Sequence, residues 1–192
     1  MKYTSTRDNS KEFTFGEVFI KGLAEDGGLY VPKSLKKYTE KELLELKNLN
    51  YIELSNEIIN LFLEDFISRE ELSSLIKKSY SLFREKEVVK ISIIRELKLL
   101  ELFYGPTLAF KDIAMQFIGN LYEYYLSKND KKINIVVATS GDTGAAAIDA
   151  IKGKSNLNIF VLHPNNKISH VQRKLMTTIE EKYTDYRFFK RN

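Results

Sequence analysis

Apolar spacing gives the chain two textures. Lys2 to Thr6 reads as a short strand and Phe15 to Gly22 as a short helix. The two-glycine turn of "AEDGGLYVP" then leads into an extended segment closed by Pro32. From there to about residue 85 the period is helical. "TEKELLEL" sets Thr39 three residues before Glu42, and "SREELSSLI" sets Ser68 three before Glu71, the spacing of a capping box. Between them Ile52, Ile58, Ile59, Phe62 and Leu63 recur at helical spacing.

Past residue 86 the pattern changes. "EVVKISII" and "LKLLELF" are short and strand-like, and a helix from about Ala109 to Ser127 would turn Ile113, Phe117, Ile118, Leu121 and Tyr125 to a core. "INIVVATSGDTGAAAIDAIKG" reads as strand, glycine turn and helix. "LNIFVLHP" reads as a buried strand, and "ISHVQRKLMTTIEE" as a helix capped by Ser169. Helices alternating with strands are the mark of a parallel sheet. The expected class is α/β: a mostly helical N-terminal domain (1–85), part of a three-layer α/β/α domain (86–181), and a tail (182–192). The change of texture near residues 81–87 sets the boundary.

Composition narrows the classes. A chain of 192 residues suits one ordinary domain, or a small one plus part of another. Its 43% hydrophobic and 29% charged content is globular, and without cysteine it offers neither disulfides nor thiolate metal sites. "MKYTSTRDNS" has no apolar signal core, and no apolar run approaches the roughly 18 residues of a membrane span, so a cytoplasmic protein with no membrane partner is expected. Of the net charge of +4, three charges come from Lys182, Arg187, Lys190 and Arg191 set against Asp185. The body therefore carries no basic footprint for nucleic acid. His163 and His170 lack partners at metal-site spacing, and no metal is expected.

Two stretches carry candidate chemistry. In "GPTLAFKD" (105–112), Lys111 follows a Gly-Pro turn and leads a mostly apolar stretch. One reading is a solvated lysine whose stem snorkels along the surface. The other is covalent chemistry: Phe110, Ile113 to Met115 and the positive end of the helix all disfavour the ammonium, and a neutral amine condenses with an aldehyde. In "ATSGDTGAAAI", Gly141 and Gly144 allow a tight turn that exposes backbone N–H groups at a helix start, with the hydroxyls of Ser140 and Thr143 alongside. That arrangement favours a carboxylate or phosphate, although the charge of Asp142 opposes it. The plain alternative is an ordinary turn in which Asp142 or Thr143 only caps the helix. The spacing is neither a P-loop nor a dinucleotide fingerprint.

Taken in order, "STR" (5–7), "GLAEDGGLYVP" (22–32), "GPTLAFKD" and "ATSGDTGAAA" (138–147) resemble the threonine synthases, members of the fold-type II pyridoxal-phosphate enzymes. The likeness runs from residue 1 to about 178. It implies that Lys111 holds pyridoxal 5'-phosphate covalently and later shuttles protons at the substrate carbons. It implies that Ser140, Gly141, Thr143 and Gly144 grip the substrate carboxylate and that Asp142 contacts the cofactor, although many fold-type II relatives carry asparagine there. The implied reaction converts O-phospho-L-homoserine and water to L-threonine and phosphate. Arg7 is a candidate for the substrate phosphate. Asn166 stands where the family usually has glycine, and it tolerates the same left-handed backbone.

Threonine synthases are well over twice this length, and the glycine-rich loop for the cofactor phosphate lies in the part without a counterpart here. The expectation is a truncated product, inactive and poorly soluble alone, with an open sheet edge and an uncovered apolar face. A complementary C-terminal portion would then be its partner. Two alternatives stand beside this one: a threonine synthase-like phospho-lyase for another substrate, and a non-catalytic fragment or interaction module.

Overall fold

The computed structural model describes residues 1–139, 141–164, 168–178 and 187–191. The chain divides into two compact units, Met1–Ile76 and Lys77–Asn192. In the first, β1 (Tyr3–Ser5) pairs antiparallel with β2 (Tyr30–Pro32), Ser5 facing Tyr30. The Asp26 carboxylate ties the two segments together, accepting from the Ser5 hydroxyl and the Gly28 N–H, each at 2.8 Å. Gly27 stands at φ +78°, and a Cβ on Gly28 would lie 2.3 Å from Ser5 Oγ, so the pair of glycines is needed for this clasp.

Four helices follow the same local logic: α1 (Phe15–Lys21), α2 (Glu40–Leu46), α3 (Tyr51–Leu63) and α4 (Arg69–Tyr80). The expected capping pairs Thr39/Glu42 and Ser68/Glu71 form. So do two that were not anticipated, Thr14/Glu17 and Asn50/Glu53. Phe15 packs with Tyr3, Phe19 and Phe66, while Leu63, Leu72 and Ile76 are buried. Each such aliphatic contributes about 1.5–3 kcal/mol by leaving water.

The second unit opens with an antiparallel ribbon of β3 (Lys90–Ile94) and β4 (Leu97–Glu101). The strand expected from Glu87 begins three residues late because buried Val88 sits at φ +63°, in a turn. Next come α5 (Lys111–Lys128), β5 (Ile133–Ala138), α6 (Asp142–Ile151), β6 (Leu157–Pro164), α7 (His170–Thr177) and β7 (Arg187–Arg191). The sheet is parallel in the order β5-β6-β7. Past Thr178 the sequence pattern does not predict the next strand, yet β7 supplies one. The edge of β6 offers a free ladder, and the Phe-Phe pair suits extended backbone.

One face of the sheet carries the core. Ile133, Ile135 and Val137 pack with Leu157, Ile159 and Val161 against Leu126 of α5, Ile148 and Ile151 of α6 and Met176 of α7. On the opposite face Val136 is 66% and Leu162 40% exposed. The chain thus holds part of the layered α/β arrangement, with helices covering one side among the described residues.

Helix α5 departs from its expected orientation. Its buried side chains are Asp112, Gln116, Asn120, Leu121 and Leu126, and Ile118 is exposed. The cause is the close approach of α6: a Cβ on Gly119 would lie 2.6 Å from the Ala150 carbonyl oxygen. Beside that crossing, Gln116 Nε2 donates to Asp149 at 2.6 Å, Asn120 Nδ2 donates to Ser79 Oγ at 3.0 Å, and Lys154 Nζ donates to Asn120 Oδ1 at 2.8 Å. Burial pushes the Lys154 pKa down. Since 116 meets 149 and 120 meets 154, α5 and α6 run parallel, with their first residues at the same end of the seam.

Candidate functional site

Lys111 is the first residue of α5 and Asp142 the first of α6, so the parallel seam sets the lysine and the glycine turn at one end of the helix pair. Lys111 is half-buried. Its Nζ lies 4.7 Å from the centroid of the Phe110 ring, a cation–π arrangement, and it has no ion pair or hydrogen bond among the described residues. The Phe110 ring is itself exposed, as is Leu108.

The segment before Lys111 is held from behind. Asp112 is fully buried and its carboxylate accepts from the Thr107 N–H at 2.8 Å and the Thr107 hydroxyl at 2.6 Å. Burial raises the Asp112 pKa and outweighs these bonds, which lower it. A Cβ on Gly105 would stand 2.4 Å from the Asp112 side chain, so glycine is required there. Leu108, between the bonded residues, takes φ +63°, a left-handed conformation that costs a bulky side chain about 1–3 kcal/mol.

At the other helix head, Gly141 precedes α6 without a side-chain cap. Its N–H donates to Thr139 Oγ1 at 3.4 Å, and the Gly144 N–H donates back to the Gly141 carbonyl at 2.9 Å. The N–H groups of Asp142 and Thr143 have no partner among the described residues, which leaves two donors for an anion. Asp142 is exposed, and its carboxylate accepts from Gln172 Nε2 of α7 at 3.2 Å. Gly144 serves packing: a Cβ there would lie 2.5 Å from Thr139 Cγ2 and 2.6 Å from Met176 Sδ. Ser140 and Asn166 lie outside the described residues.

Arg7 belongs to the first unit and donates from Nη1 to the Asp26 carbonyl oxygen at 3.1 Å. His163 is in β6 and His170 begins α7; among the described residues no group of three or more His, Cys, Asp or Glu could hold a metal. No helix of the described residues is long and apolar enough to cross a membrane. Sequence reasoning passed over Asp112 and Gln172. The second was open to notice, since Ser169 and Gln172 have capping-box spacing and Ser169 Oγ accepts from the Gln172 N–H.

The donor set suits an aldehyde and a carboxylate: one amine without a polar partner among the described residues, and two backbone N–H groups at a helix start. Residues 2–80 match the family model described as the threonine synthase N terminus. The threonine synthase of Schizosaccharomyces pombe is 40% identical over 191 residues, covering 94% of this chain and 37% of that protein. Threonine synthase-like 2 of Xenopus laevis is 38% identical, covering 94% and 39%. The crystal structure of PLP-bound threonine synthase from Brucella melitensis superimposes with a TM-score of 0.86 at 38% identity, over 92% of this chain and 38% of that one. The chain thus spans less than two fifths of the length of these relatives, and it matches the N-terminal portion of the threonine synthases.

Proposed function

We propose that the chain supplies the cofactor lysine and the carboxylate-binding turn of a fold-type II, pyridoxal-phosphate-dependent threonine synthase. The reaction is the conversion of O-phospho-L-homoserine and water to L-threonine and phosphate. One observation carries the reading: the Lys111 amine, without a polar partner among the described residues, shares an end of the α5–α6 pair with a turn whose Asp142 and Thr143 N–H groups also lack one among them. When bound, pyridoxal 5'-phosphate supplies an electron sink for charge developing at the substrate carbons. Lys111 would hold the cofactor through its amine and would move protons at those carbons. The N–H groups of Asp142 and Thr143, with the Ser140 and Thr143 hydroxyls, bind and orient the α-carboxylate. Gly141 and Gly144 let the backbone approach it. Asp142, whose carboxylate accepts from Gln172, would contact the cofactor.

Catalysis requires a complementary C-terminal portion, which would also cover the exposed face of β5 and β6. Borohydride reduction with the cofactor present should leave a pyridoxyl group on Lys111, and Lys111→Ala should abolish it. Labelling spread evenly over surface lysines would sink the assignment. Threonine formation by the purified chain alone would overturn the need for a partner portion. The match to a threonine synthase-like 2 protein at nearly equal identity supports a second reading, a phospho-lyase on another phosphorylated substrate. Phosphate release from a panel of phosphorylated amino acids, by the chain joined to a complementary portion, separates the two.

A further inference from the structure

We infer that Asp112 is the positioning residue for the Lys111 amine; in its purpose this rests on the cofactor role proposed for Lys111. The lysine begins a helix whose N-cap, Phe110, makes no side-chain hydrogen bond, so the usual device that fixes a helix entry is missing. Its place is taken from inside the helix. One fully buried carboxylate reaches back to the Thr107 N–H and hydroxyl, the Asp112 N–H donates to the Ala109 carbonyl at 3.0 Å, and together they pin the five residues that deliver Lys111. Leu108, inside that loop, stays left-handed because the residues on either side of it are tethered. Gly105 leaves the room the carboxylate needs. A lysine stem is flexible, and its amine meets an aldehyde at a fixed point only if the backbone beneath it is fixed.

The test compares the full chain with Asp112→Ala, Asp112→Asn and Thr107→Val, each checked for its fold by far-UV circular dichroism. The primary readout is the rate of borohydride-trapped pyridoxyl on Lys111 relative to exposed Lys131. Asp112→Ala should slow it about tenfold. Asp112→Asn keeps one acceptor and should recover part of the rate. Thr107→Val removes a single bond and serves if both Asp112 variants fail to fold. Equal relative rates in all folded variants overturn the inference and leave the cofactor reading standing. If the unaltered chain takes no pyridoxyl on Lys111, the cofactor reading fails. The ratio of Lys111 to Lys131 acetylation by acetic anhydride then decides for Asp112: a graded change across the variants supports it, and an unchanged ratio overturns it.

Discussion

The α5–α6 seam and the β3–β4 ribbon lie in the same unit and invert the ordinary partition of residues. The seam buries Asp112, Gln116, Asn120 and Asp149, whereas the ribbon exposes Ile91, Ile93, Ile94, Leu97, Leu99 and Leu100, each at least 44% accessible. In the seam every buried polar side chain meets a specific partner, so desolvation is offset by short hydrogen bonds. In the ribbon the aliphatics fall on both faces of two strands, and among the described residues nothing covers them. A two-stranded ribbon is marginal in water by itself. The contrast separates a contact completed within the chain from a surface that is not.

Variants can break or sharpen that contrast. Gly119→Val should be the most damaging, because its side chain would meet the Ala150 carbonyl; a loss of about 3 kcal/mol in urea unfolding is expected. Gln116→Leu leaves Asp149 with only Lys152, 2.7 Å away, and should cost about 2 kcal/mol. Adding Asp149→Leu should recover most of that loss, since removing both partners leaves no orphan; two costs that simply add would show the pair to be uncoupled.

Acid unfolding probes the buried carboxylate. The Asp112 pKa lies above the ordinary 3.8, so the native state holds its proton longer than the unfolded chain does. Its contribution is complete below pH 3.8 and is lost as pH rises through the folded value. Asp112→Asn should flatten the stability profile in that window, and an unchanged slope would reject the assignment. On the ribbon, Ile93→Lys with Leu97→Lys should change stability by no more than about 0.5 kcal/mol. Light scattering of the chain should nevertheless fall, because exposed apolar patches promote association.

Much of the fold could be read from short-range rules. The capping pairs Thr39/Glu42 and Ser68/Glu71, the Gly27–Gly28 turn and the strand-turn-helix around Gly141 depend on neighbours in sequence, and the pattern predicts them near their observed positions. Lys111 at the head of a helix was readable for the same reason. The inward face of α5 was legible only in part: Leu121 is buried and Tyr125 packs against the core as the periodicity predicts, but Ile118 is exposed and the structure buries the polar Asp112, Gln116 and Asn120.

The amino-acid order alone determined most of the elements before Thr178, the place of Lys111 at a helix start and the place of the glycine turn, because each follows from backbone propensity and local hydrogen bonds. Only the tertiary structure decided that Gln116 faces Asp149, 33 residues away, that Gln172 reaches Asp142, 30 residues away, and that the β6 edge accepts β7. Those outcomes depend on whether a distant partner satisfies a group removed from water, and local pattern carries no record of that partner.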